Sequence, residues 1–273
     1  MRLKAFCLLL ITLLLATACS RLTFVRPKGK MGQLSGQEEV PDYSVKDSPE
    51  VKRRQGVQTI LARTLQRLQE GDLAAAEKEA KAALKLDPAS VDALTLLAVI
   101  EDRQGRRDKA GESYRRAAEL APSLGATQNN YGTWLCGNGF AAESLVWFDR
   151  AISAPGYAGA GSALANAGSC ALKSGQRERA ARDLRQALVQ DPRNAVALEA
   201  MAELEFGQQQ YMSARAFVER RLAAAPATAA VLKLASQIVD RLGDKAAASR
   251  YVQRIRAEFP DAQDVTTGGN AGP

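Results

Sequence analysis

The chain has no histidine among its 273 residues. That absence removes a Ser-His-Asp triad, an HExxH zinc site and any imidazole general base. Aromatic residues make up only 5% of the sequence, while Ala, Leu, Arg, Glu and Gln are plentiful, a balance that favours helices over a sheet. The longest apolar run, Ala5 to Ala16, has twelve residues. A bilayer-spanning helix needs about 20, so the run is too short to cross a membrane. There is no Cys-x-x-Cys pair and no Gly-rich loop between a strand and a Lys. The glycine string Gly156 to Gly161 (GYAGAG) reads as a loop insertion, not a nucleotide loop. Catalysis, a metal site, a cofactor and a small-molecule substrate are therefore not expected. Lys and Arg number 37 against 30 Asp and Glu, but the excess is scattered and not striped, so nucleic acid is not an expected partner.

The first 20 residues carry an address. Arg2 and Lys4 precede the apolar run, which ends in Ala16-Thr17-Ala18-Cys19. The size and flanks are those of a secretory signal. The small residues before a cysteine resemble a bacterial lipobox. The resemblance implies cleavage before Cys19, a diacylglycerol on its sulfur and acylation of the new amino terminus. Ser20, where an Asp commonly retains lipoproteins in the inner membrane, implies an outer-membrane anchor with the body facing the periplasm. The alternative is an ordinary signal peptide with a chance cysteine. Residues 1–18 are thus expected to be the signal and 19–56 a lipidated flexible tether, proline-containing and with eight basic against five acidic residues.

From residue 57 the chain keeps a period near 34. Prolines stand at Pro88, Pro122, Pro192, Pro226 and Pro260. Glycines stand at Gly71, Gly105, Gly139, Gly175 and Gly243. Small residues follow five positions later (Ala76, Ala110, Ser144, Ala180, Ala248, with Ala214 in the fifth unit), and a second set lies at Ala83, Ala117, Ala151 and Ala187. Glycine ends a first helix in a left-handed turn, alanines let paired helices approach, and proline stops the second helix. This pattern resembles the tetratricopeptide repeat (TPR). It predicts an all-α fold over 57–261: about six helix-turn-helix units stacked as a right-handed α-solenoid, at 57–90, 91–124, 125–160, 161–194, 195–228 and 229–261. Residues 262–273 are expected to be a disordered tail. Arg63 and Arg67 fall where a repeat wants core, so unit one is either a solvated cap or out of register.

The third unit departs most from the repeat. It reads NNYGTWLCGNGF from Asn129 and is followed by a two-residue insertion and by NAGSC from Asn166. With the lipobox and six repeats, this resembles the PilF/PilW family of type IV pilus biogenesis lipoproteins, or pilotins. The resemblance implies a non-enzymatic outer-membrane lipoprotein that helps the pilus secretin reach or assemble in that membrane, and so supports pili and twitching motility. A generic periplasmic TPR scaffold for another envelope complex is the alternative.

Cys136 and Cys170 lie 34 apart on first helices of neighbouring units. A disulfide is expected in an oxidising compartment, two packed free thiols being the alternative. Leu61, Leu65 and Leu68 recur at i, i+4 and i+7, with Val99 continuing the strip. They are expected either to line an apolar partner groove or to pack against the second helix of unit one. Asn129, Asn130 and Asn166 are candidates for bonding a partner's backbone or for ordinary repeat positions. Tyr131 and Trp134 are expected to pack between units three and four.

Overall fold

The computed structural model describes residues 47–261, in which there are twelve helices and no strand. They form six antiparallel hairpins: α1 (Pro49–Gln69) with α2 (Leu73–Leu86), α3 (Val91–Arg103) with α4 (Arg107–Leu120), α5 (Gly125–Gly137) with α6 (Ala141–Ser153), α7 (Ala160–Lys173) with α8 (Arg177–Gln190), α9 (Ala195–Gly207) with α10 (Tyr211–Ala224), and α11 (Ala229–Arg241) with α12 (Lys245–Glu258). Each hairpin packs on the next, the arrangement of a TPR solenoid.

The hairpin turn repeats almost atom for atom. Gly71, Gly105, Gly139, Gly175 and Gly243 all have φ between 75° and 94°, a left-handed conformation that costs glycine nothing. At the residue just before the second helix, the chain closes a six-residue ring: Asp72 N donates to Arg67 O (3.0 Å), and the same bond recurs from Arg106 to Glu101, Phe140 to Leu135, Gln176 to Ala171, Gln210 to Glu205 and Asp244 to Val239. In the fifth hairpin the glycine place is held by Gln209 at φ 61°, the sole non-glycine residue with positive φ among the described residues. The missing step in the glycine ruler is thus a substitution within an intact turn.

The small-residue rulers mark the crossings of paired helices. Ala76, Ala110, Ser144, Ala180 and Ala214 have no exposed surface, and Ala83, Ala117, Ala151 and Ala187 at most 1%. The next place in that second series is Arg221, also buried. Its guanidinium is satisfied by Glu199 Oε2 (3.0 Å) and the carbonyls of Ala225 and Pro226. A buried charge paired with a carboxylate and two carbonyls is tolerated where an orphaned one would not be.

The amino-terminal boundary differs from the sequence reading. Helix α1 starts at Pro49, inside the segment expected to be tether. Ser48 Oγ accepts from Val51 N (3.2 Å), Pro49 occupies the first turn and Glu50 faces its positive end, a complete start signal. The added turns are mostly exposed, so they carry no apolar period to read. Arg63 and Arg67 point outward and pair with Glu79 (3.0 Å) and Glu70 (3.1 Å). The buried row of α1 is instead Val57, Leu61, Thr64 and Leu68. Residues 1–46 and 262–273, including Cys19, the expected signal and most of the tether, lie outside the described residues.

Candidate partner-binding groove

First helices pack side by side: α1 on α3, α5 on α7, α7 on α9, α9 on α11. The second helices form the outer layer. Between α3 and α5 that inner packing loosens. A cleft of about 620 Å³ opens there, lined by Asp102 and Arg107 on one side, by Asn129, Asn130, Thr133 and Trp134 on the other, and by Asn166 of α7.

A bulky ring holds the gap open. Trp134 lies against Gly111 of α4, where a Cβ would come within 2.4 Å of the indole. Tyr131 stacks near Trp134 (centroids 6.1 Å apart) and meets Trp147 edge-on (4.7 Å), with the Arg150 guanidinium 4.4 Å over Trp147. Together with Tyr114, Ala118 and Leu135, these rings seal the second hairpin to the third. Tyr131 and Trp134 therefore pack between units two and three, not three and four. The glycine that admits the indole is in unit two, a complementarity that no spacing reveals.

The cleft is polar and largely uncharged. Asn166 Nδ2 donates to Asn129 Oδ1 (3.1 Å) and Thr133 Oγ1 (3.4 Å), while Thr133 Oγ1 donates to Asn129 O (2.8 Å). Asn130 is half-buried, and among the described residues its amide has no hydrogen-bond partner. An amide with an unspent donor and acceptor matches the N–H and C=O of an extended chain. Burial, aided by Asp102 and opposed by Arg103, raises the Tyr114 hydroxyl to about 12, so it stays protonated. Further along the inner layer, loss of surrounding water and the neighbouring Glu199 push the Glu203 carboxyl above its ordinary range, with Lys173 opposing.

Beside the cleft, Cys136 and Cys170 are joined by a disulfide, with Cα atoms 5.9 Å apart, tying α5 to α7. The leucine strip is divided. Leu61 packs with Val57, Ala83 and Ala93, and Leu68 with Ala76, Ala80, Leu97 and Ile100. They are 5% and 9% exposed, whereas Leu65 is 46% exposed. Val99 is half-buried against the Leu68 group. Leu61 and Leu68 face the second helix and the next hairpin because α1 turns its Val57–Leu61–Thr64–Leu68 row inward. Leu65, off that row, is left in solvent. Asp102, Arg107 and Thr133 carry no sequence signal of their own. Only the asparagines, at matching places in units three and four, signalled the cleft.

Tetratricopeptide-repeat family patterns match residues 62–124 and 171–238. No curated protein matches the chain. Among solved structures, PilW, described as a widely conserved type IV pilus biogenesis factor, is 29% identical with a TM-score of 0.70, over 77% of this chain and 98% of PilW. PilF of Pseudomonas aeruginosa is similar in fold, at 22% identity and a TM-score of 0.68, over 79% of this chain and 98% of that one. A tetratricopeptide repeat protein from Parabacteroides merdae also shares the fold, at 20% identity and a TM-score of 0.60, over 75% and 80% of the two chains. Six glycine- or glutamine-turned hairpins, the two repeat matches and these neighbours agree: the chain carries tetratricopeptide repeats, and its fold is similar to those of PilW and PilF.

Proposed function

We propose that the chain is an outer-membrane lipoprotein pilotin: acylated at Cys19, facing the periplasm, it binds the type IV pilus secretin and promotes its placement and assembly without doing chemistry. The observation that carries this reading is the 29% identity to PilW over 98% of that protein's length. The inner face of the repeat stack suits the task. It offers a cleft of polar groups in which the Asn130 amide has an unspent donor and acceptor. Several acyl chains at about 0.8 kcal/mol per buried methylene would hold the protein at the membrane.

The test is a strain lacking the gene, complemented with the native chain or with Cys19→Ser. Heat-stable secretin multimers in the outer membrane and surface pili should be lost in the deletion and restored by the native chain. Cys19→Ser should restore them poorly. Normal multimers in the deletion strain would remove the pilotin reading and leave a periplasmic scaffold for another envelope complex.

A further inference from the structure

The outer layer of the repeat stack is not electrically uniform. In the amino-terminal half, α2, α4 and α6 carry eight basic and seven acidic side chains. In the carboxy-terminal half, α8, α10 and α12 carry eleven basic and four acidic. The first helices paired with the latter, α7, α9 and α11, carry three basic and four acidic. The largest basic excess therefore lies in the outer layer of the carboxy-terminal half, with a smaller one on α1 (five basic, one acidic), a partition hidden in the whole-chain charge of +7.

The helical register sharpens it into a stripe. On α8, Arg182, Arg185 and Val189 stand at i, i+3 and i+7. On α12, Arg250 and Arg254 stand at i and i+4. All are exposed. Arg185 and Arg250 have no ion pair among the described residues, and Arg182 shares Asp183 with Arg179. The same outer helices carry the two most exposed large hydrophobic side chains among the described residues, Val189 of α8 at 82% and Met212 of α10 at 68%. Water gives no reason for them there. A surface that is anionic at its face and apolar just beneath would accept both kinds of side chain, arginine heads on phosphates and apolar tips between headgroups.

We propose that the exposed stripe of α8, α10 and α12 is a docking face for an anionic phospholipid surface. Lying on that face, the stack turns its second helices to the bilayer and leaves the polar cleft of the inner layer open to a protein partner. The choice of a lipid surface over another polyanion rests on the proposed acylation at Cys19, which would keep the chain at a membrane.

The experiment uses the mature chain, residues 19–273 with Cys19→Ser and the disulfide formed, so that no acyl group contributes. Co-sedimentation is measured at low salt with phosphatidylglycerol–phosphatidylcholine vesicles, phosphatidylcholine vesicles and soluble polyglutamate. Binding is expected to the first alone and to weaken as salt rises. The triple variant Arg182→Glu, Arg185→Glu, Arg250→Glu should bind about tenfold or more weakly, with an unchanged thermal melt because all three sites are exposed. A matched pair separates face from net charge. Arg182→Glu and Lys173→Glu change the same charge within one hairpin, on outer and inner helices, and only the first should weaken binding. No binding, equal binding to phosphatidylcholine or polyglutamate, or equal loss from Lys173→Glu overturns the proposal. None of these results bears on secretin multimers, so the pilotin reading stands or falls separately.

Discussion

Gln209 shows what a single residue does in a repeated turn. Its five counterparts are glycines, and it takes the same left-handed backbone at φ 61°. A side chain in that region costs roughly 1–2 kcal/mol. Gln209→Gly should therefore stabilise the protein by about 1 kcal/mol after glycine's larger unfolded-state entropy is deducted. A higher denaturant midpoint at unchanged slope is the expected readout, and an unchanged or lower midpoint would show that the glutamine side chain earns its place through a contact. The position was legible in the sequence only as a gap, because the ruler was read in glycines and the turn itself tolerates another residue at a cost. The leucines of α1 show the opposite limit. Leu61, Leu65 and Leu68 share an i, i+4, i+7 spacing, yet Leu61 and Leu68 belong to the core and Leu65 does not. Spacing says that residues share a face, not which neighbour the face meets.

At the scale of elements, the joints between hairpins hold information that the repeat period conceals. Glu77 on α2 reaches the turn before α4, with Oε2 2.7 Å from Arg106 and 3.1 Å from Gln104, while Oε1 accepts from Lys81 at 2.6 Å. The Arg106 bond first, then Lys81, with Gln104 adding and burial opposing, lowers the Glu77 carboxyl from 4.5 to about 2. Because the native carboxylate binds its proton less tightly than the unfolded one, its stabilising contribution is complete above pH 4.5 and fades as pH falls towards 2. The native chain should be more stable than Glu77→Gln near pH 6, and the difference should close between pH 4.5 and 2 in paired thermal melts. A constant gap would mean that the amide fits less well for reasons of packing, not charge. The order and bounds of the hairpins were legible from glycine, alanine and proline, since these residues answer to local backbone and crossing geometry. The α1 extension was not, as its solvated turns carry no apolar period. Nor was the cleft, since it depends on Trp134 of one hairpin meeting Gly111 of another, and side chains so far apart in sequence leave no local mark.

In a stack where each hairpin rests on its neighbours, stability is roughly a sum of hairpin and junction contributions, so a local change should stay local. The Cys136–Cys170 bridge tests this at the scale of the molecule. It closes a loop of 34 residues between α5 and α7, which in the loop-entropy account stabilises the fold by roughly 3–4 kcal/mol. Reduction should therefore speed amide exchange chiefly in α5 to α8, the hairpins it joins, while α1 and α2 keep their native rates. The last hairpin provides an internal reference. Among the described residues no helix follows α12, and its Ala247 and Ala248 keep 9% and 8% exposure where Ala180 and Ala214 keep none. It should be the fastest-exchanging helix pair with the bridge intact, and its rate should not change on reduction. Uniform loss of protection along the chain would instead mark the six hairpins as one cooperative unit. In that case the bridge would be acting on the whole unfolded chain and not on its own junction. Slow exchange confined to α5 to α8 in the oxidised protein, lost on reduction, would make the third and fourth hairpins the rigid centre beside which the cleft is held ready.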